Sequence, residues 1–359
     1  MASKSQFKRE FAKLMDSTEI PFSLPDSEVV KRYSEIFSFV EAHTPPKLFR
    51  FRRCDLDSIL AFEQGRISLC SANQFSDKHD STIYYDYHSI EEQVISWKQT
   101  VLPQFLQYIK SIPLPSQSDQ FTPTANKLIQ MLEAKESDKE IFGFVSNEIN
   151  THLPEWKELA QQAVLWPRTL SPTRIACFTE NVKSKFMWDT YAQGYSGFAL
   201  EYDFTHWRSL TINNNPVVLM PVIYRLQKLD ATEMVNRIVG PIFMRSKGAP
   251  EPLIQAYSNA YPINHLHYQK VFLYKDKAEY AHEKEWRMLE MLLSQSEEAK
   301  DVVTSIPDAG CLKAVYYGPD MEKRYKTHLR EIARQKGVKE YDVSIDNNSR
   351  QYGLKITRI

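Results

Sequence analysis

Apolar positions recur at helical spacing over residues 5–15 and 27–42. Asp26, Ser27 and Glu28 supply an acidic, capping-type start to the second segment, so the chain is expected to open on two amphipathic helices that stop before Thr44-Pro45-Pro46. The period then changes. Lys47-Leu48-Phe49-Arg50-Phe51-Arg52 alternates apolar with basic residues, which predicts a half-buried strand presenting Arg50 and Arg52 on one face. A short amphipathic helix over 55–63, a turn at Gly65 and a strand over 67–71 follow, and Asn73-Gln74-Phe75-Ser76-Asp77 reads as loop.

From 88 to 166 the pattern is helical, broken by the stretch 113–124 with its prolines, serines and threonines. Strands are expected again at 174–179 and 197–203, on either side of a helix carrying Met187, Trp188, Tyr191 and Ala192, and at 217–224. A helical stretch covers 231–260. Strands over 283–293 and 313–317, a charged amphipathic helix over 320–337 closed by Gly337, and a hairpin from 341–345 and 352–359 complete the chain. No internal repeat is visible. Strands remote in sequence must pair, so the class is α+β with a mixed or antiparallel sheet. Three parts are delimited: an N-terminal helical segment (1–46), a core domain (47–87 and 167–359) and a helical insertion (88–166).

Composition narrows the function classes. Apolar residues are 42% and aromatics 12% of the 359, enough for a sizeable core and unlike a disordered chain. Lys plus Arg equals Asp plus Glu at 45 each, which removes the global positive field of a sequence-independent nucleic-acid binder and leaves room for a local basic patch. Cys54, Cys70, Cys177 and Cys311 are scattered without a C-x-x-C pair, so neither a thiolate zinc site nor a disulfide framework is expected. No signal-type apolar run follows the charged start, and nowhere do about 18 uncharged apolar residues adjoin, which points to a cytoplasmic protein without a membrane partner.

The chemistry-bearing positions are few. In an extended Glu283-Lys284-Glu285-Trp286-Arg287, the residues Glu283, Glu285 and Arg287 share a face. A solvated, salt-bridged face is the plainer meaning of such a run; a wet cleft whose carboxylates act on a substrate is the sharper one. Arg50 and Arg52 pair with local acids in the plain reading, or offer guanidinium forks to a phosphate. Thr179 closes an apolar strand. Trp188 and Tyr191 on a helix suit either core or ligand platform. His265-x-His267 would bring two imidazoles together if extended, but lacks a third ligand at a suggestive spacing. Gly-rich phosphate loops, G-x-S-x-G and H-E-x-x-H are missing from the sequence.

Taken as an ordered set, five blocks resemble a bacterial family known as domain of unknown function 2971, over about residues 47–359 apart from the insertion. They are Leu48-Phe49-Arg50-Phe51-Arg52, the segment from Ser71 to Asp80, Cys177-Phe178-Thr179, Met187-Trp188-Asp189-Thr190-Tyr191-Ala192 with Gly197 to Asp203, and Glu283 to Arg287. Ser76, Lys78, His79 and Thr190 depart from the family's usual residues. The order of arginine, hydroxyl and Glu-x-Glu is also similar to that of ADP-ribosyltransferases, and that resemblance implies a split sheet and NAD as the substrate, with no metal.

On this resemblance Glu285 would stabilise the oxocarbenium-like state formed as nicotinamide leaves and hold the ribose hydroxyl. Arg50, or Arg52 in its place, would grip pyrophosphate or ribose, Thr179 would orient Glu285, and Glu283 would aim or deprotonate the acceptor. Phe178, Trp188 and Tyr191 would wall the pocket, and Arg287 would set the charge state of a glutamate. The acceptor would be a protein, a nucleic acid or water, in keeping with a toxin or phage-defence effector. Two alternatives stand beside this reading. One is a non-catalytic nucleotide-sensing or interaction module, which expects the glutamates to be tied up in salt bridges. The other is a metal-dependent nuclease or phosphodiesterase using Asp77, Asp80, His265, His267 and the late glutamates.

Overall fold

The computed structural model describes residues 4–169, 171, 173–207, 210–212, 215–290, 303–348 and 350–359. Helices α1 (Lys4–Ser17) and α2 (Asp26–Glu41) lead to strand β1 (Leu48–Arg52), whose alternation buries Leu48, Phe49 and Phe51 while Arg50 and Arg52 stay half-buried. Asp55 caps α3 (Leu56–Glu63) by accepting from Ser58 N at 2.8 Å, and β2 (Arg66–Cys70) and β3 (Ile83–Tyr84) follow.

The insertion is helical throughout its elements: α4 (Ile90–Thr100), α5 (Leu102–Ser111), α6 (Pro123–Glu133), α7 (Asp138–Thr151) and α8 (Leu153–Thr169). Ser137 and Glu140 close a reciprocal capping box on α7. The chain returns through β4 (Arg174–Thr179), α9 (Lys185–Tyr191), β5 (Phe198–Tyr202), β6 (Leu210–Ile212), β7 (Asn215–Pro221), β8 (Ile223–Arg225) and β9 (Leu229–Asp230). Next come α10 (Thr232–Ser246), α11 (Glu251–Ala260), α12 (His265–Leu273), β10 (Tyr274–Asp276) and α13 (Lys277–Tyr280). The final elements are β11 (Glu285–Glu290), β12 (Val303–Pro307), β13 (Leu312–Tyr317), α14 (Lys323–Lys336), β14 (Lys339–Ile345) and β15 (Leu354–Arg358).

The class is mixed α+β. One sheet runs in the order β15-β14-β13-β5-β1-β4-β11-β7-β6, antiparallel except for the parallel pair β13 and β14. Its unusual feature lies along one edge of β4. There β1 pairs at a single position, Phe49 opposite Thr179, and farther along the same strand β2 takes over, Cys70 opposite Ile175. β2 then pairs β12, so the sheet divides between β1 and β2. Gly197 opens β5 so close to β1 that a Cβ there would lie 2.2 Å from Arg52 O, which restricts the position to glycine.

The main apolar cluster unites α1, α2 and α14 with one side of the sheet. A smaller one packs Phe49, Phe51 and Tyr316 against Trp188. A third joins α5 to α7 of the insertion with Leu253, Ala256 and Tyr257 of α11. No described helix is long and apolar enough to cross a membrane.

Several expectations change in detail. His265 and His267 sit on a helix, which turns residues two apart away from each other, so the extended geometry required for a shared metal is not formed. The anticipated strand over 217–224 is divided between β7 and β8. The strand anticipated over 283–293 starts at Glu285, and residues 291–293 lie outside the described set.

Candidate functional site

Where β1 and β2 part, a cavity of about 330 Å³ opens, near the lower end of small-molecule sites. The register fixes what can face it. Thr179 lies opposite both Phe49 and Glu285, so these three share one face of the sheet, and Arg50, Arg52 and Phe178 leave from the other. The arginines nonetheless line the same cavity as Glu283 and Glu285, because the split leaves a slot between the faces. Arg50 Nη2 donates to Ser68 O on β2 at 2.6 Å, with its guanidinium 5.7 Å above the Phe178 ring, and Arg52 Nη2 reaches Ser68 Oγ at 3.4 Å. Among the described residues neither forms an ion pair with a carboxylate. Burial, with the neighbouring Arg52 charge, pushes Arg50 down to about 9. An anion in the slot would relieve both effects.

The opposite wall is a buried charge network. Lys275, on β10, places Nζ 2.7 Å from Glu283 Oε2, 2.8 Å from Glu285 Oε2 and 3.7 Å from Asp80 Oδ2. Arg287 donates from Nε to Glu285 Oε1 at 2.8 Å, and from its two Nη atoms to Asp80 and to Phe272 O. Tyr191 OH donates to Glu283 Oε1 at 3.1 Å. Three carboxylates against two cations leave one formal negative charge on this wall when all are ionised.

Burial alone would raise the Glu285 carboxyl, but Arg287 and Lys275 outweigh it and hold the group well below the usual carboxylate range. Glu283 goes the other way. Its burial, reinforced by Glu285, prevails over Lys275 and raises its pKa. Burial also opposes the Lys275 ammonium, and there the surrounding carboxylates win and hold the proton more tightly.

The backbone explains how both glutamates reach the cavity. Glu283 lies in a short 3-10 turn rather than in the strand. Lys284 then adopts φ +48°, ψ +48°, a left-handed conformation that few non-glycine residues take, and projects outward while Glu285 turns in. Thr179 Oγ1 donates to Glu283 O at 2.5 Å, so it fixes this turn and not, as expected, the Glu285 carboxylate.

Phe178, Tyr191 and Arg287 line the cavity with Arg50, Arg52 and the two glutamates. Trp188 does not. Fully buried, it packs edge-on against Phe51 at 5.0 Å with its indole N–H on Val182 O at 2.7 Å, which makes it core and not pocket wall. The sequence does not single out Lys275, and it offers Asp80 only as a candidate metal ligand and as the end of the block from Ser71. The available signal is weak: Lys275 follows the apolar run Val271-Phe272-Leu273, but Lys270 and Lys277 stand close by. His265 packs against Phe22 at 3.8 Å on α12. No family model, curated protein or solved structure matches the chain.

Proposed function

We propose that the cavity binds NAD and that the protein is an ADP-ribosyltransferase-like enzyme, transferring ADP-ribose to an acceptor or to water. One observation carries the reading: a guanidinium pair that forms no ion pair with a carboxylate among the described residues, and a cluster of three carboxylates against two cations, line one cavity at the split of the sheet. NAD has that polarity, with an anionic pyrophosphate at one end of the ribose and a cationic nicotinamide at the other.

In this reading Arg50 and Arg52 take the pyrophosphate, and Arg50 is the better placed through its position over Phe178. Glu285, kept anionic by Arg287 and Lys275, faces the positive charge that develops at the ribose as nicotinamide departs. Glu283, with its raised pKa and its Tyr191 hydrogen bond, is suited to accept a proton from the acceptor. Thr179 supports the turn that presents Glu283. The split in the sheet is in keeping with the fold implied by the resemblance to ADP-ribosyltransferases.

A second reading draws on the same ion pairs. Lys275 and Arg287 occupy the oxygens of both glutamates, as a nucleotide-sensing module without catalysis would have them. Labelled NAD separates the two. The parent is expected to release nicotinamide and Glu285→Gln to lose at least about a hundredfold in rate, of the order set by removing one electrostatic stabiliser of a transition state. Equal turnover by parent and variant overturns the transferase reading. Binding without turnover in the parent establishes the sensing module instead.

A further inference from the structure

The segment after β4 and the turn before β11 lie side by side at the mouth of the site. Glu180 N donates to Lys284 O at 3.4 Å, and the Phe186 ring meets His282 edge-on at 4.6 Å and Tyr191 at 6.3 Å. Glu283 is buried among them, and around it Lys183, Lys185, Phe186, His282 and Lys284 are exposed. Phe186 is 40% and Tyr352 94% exposed, and Lys185 Nζ stands 5.5 Å from the Tyr352 ring centroid. Asp320 and Asp346 line the hollow that Lys185 and Tyr352 share with Arg350, so the acids nearby offset part of the charge. Glu180 is occupied by Lys8 at 2.8 Å and by the Trp286 indole, which leaves Asp189 as the exposed carboxylate of this segment. Lys183, Lys185, Lys284 and Arg350 against Asp189, Asp320 and Asp346 leave a modest positive excess, beside two accessible aromatic rings, in a chain of zero formal net charge.

We propose that this surface binds single-stranded nucleic acid and delivers it to Glu283 as the acceptor. That last step rests on the transferase reading; the binding does not. Lysines on flexible stems neutralise phosphates whatever the sequence, and exposed aromatic rings stack on unpaired bases, the two elements of sequence-tolerant single-strand recognition. An acidic protein would match the lysines but leave Phe186 and Tyr352 without a purpose. The strained turn at Lys284 adds to the argument, since it places a cation outward directly between the two inward carboxylates.

The test is fluorescence anisotropy without NAD, using a labelled single-stranded oligonucleotide of about twelve nucleotides, as DNA and as RNA. The parent is expected to bind, with affinity falling on salt addition at a log–log slope of about −2 for three phosphate contacts. The combined variant Lys183→Glu, Lys185→Glu, Lys284→Glu, checked for folding by circular dichroism, should lose about tenfold or more and most of that slope. Phe186→Ala should weaken binding about tenfold with the slope unchanged. Arg324→Glu with Arg334→Glu, on the exposed side of α14, should bind like the parent. No binding at low salt, equal loss in the α14 variant, or equal affinity for a duplex or for polyglutamate overturns the proposal. Because NAD is left out, this result is independent of whether the protein cleaves it.

Discussion

The Arg287 guanidinium engages both oxygens of Asp80, a residue 207 positions earlier in the chain, from Nη1 to Oδ1 at 2.9 Å and from Nη2 to Oδ2 at 2.5 Å. Both side chains are buried, so neither can regain water when the other is removed. Asp80→Ala is therefore expected to destabilise the fold by about 1–3 kcal/mol, the cost of leaving buried donors unsatisfied, because Arg287 keeps its ion pair with Glu285 and its bond to Phe272 O. Urea unfolding monitored by tryptophan fluorescence measures it. A loss below about 1 kcal/mol would mean that the pair is far more solvated than its burial indicates.

The two glutamates give opposite pH dependences. Glu285 is depressed in the fold, so its contribution is present above its unfolded pKa of about 4.3 and is lost as the solution is acidified through the lower folded value. Glu283 is raised, so its contribution is complete below that same unfolded value and disappears as pH rises through the folded one. Glu283→Gln imitates the protonated side chain. Relative to the parent, the variant should gain stability as pH rises above about 4.3. Thermal unfolding of both proteins from pH 4 to pH 8 gives the comparison, and a stability difference that does not vary with pH would contradict the assignment.

Lys275 holds the two carboxylates together, so Lys275→Met removes the cation and leaves like charges facing each other. The expected loss is about 3–5 kcal/mol at neutral pH, shrinking toward acid as a glutamate takes up a proton in place of the ammonium. Chemical denaturation at pH 7 and pH 4 reads the difference. A loss that is equal at both pH values would place the role of Lys275 in packing and not in charge.

Much of the frame of this site was legible along the chain, because β1, β4 and β11 write their pairing face into alternation. Arg50 with Arg52, and Glu285 with Arg287, could be assigned to common faces for that reason. The Glu285–Arg287 pair is among the sequence expectations, but the partners Lys275 and Asp80 are not. Lys275 and Asp80 acquire their roles only when β10 and the loop after β2 arrive beside β11, and no local period records that. Alternation also misled. His265-Leu266-His267-Tyr268 mimics a strand yet folds as the start of α12, capped by Asn264 accepting from Leu266 N. Trp188 lies on a helix with apolar neighbours on more than one side, and only tertiary packing against Phe51 decides that it belongs to the core.

One side chain of α8, just past the insertion's 166 boundary, holds the loop beside the site directly. At the last turn of α8, Arg168 donates to three backbone carbonyls of the loop that carries Asp80, from Nη1 to Asp77 O at 2.9 Å and Asp80 O at 2.6 Å, and from Nη2 to Phe75 O at 3.3 Å. Hydrogen bonds from a charged donor contribute about 1.5–3 kcal/mol where the acceptor has no substitute, and half-buried carbonyls in a loop have few. Arg168→Ala should therefore loosen residues 75–80 and, through Asp80, weaken the hold on Arg287. Hydrogen exchange should then accelerate in that loop well beyond any change in α4 or α5, with a global loss of about 1–3 kcal/mol. Arg168→Lys keeps the charge but not the planar fork and should recover only part of the protection. Unchanged exchange in both variants would show that the loop holds Asp80 without help from α8.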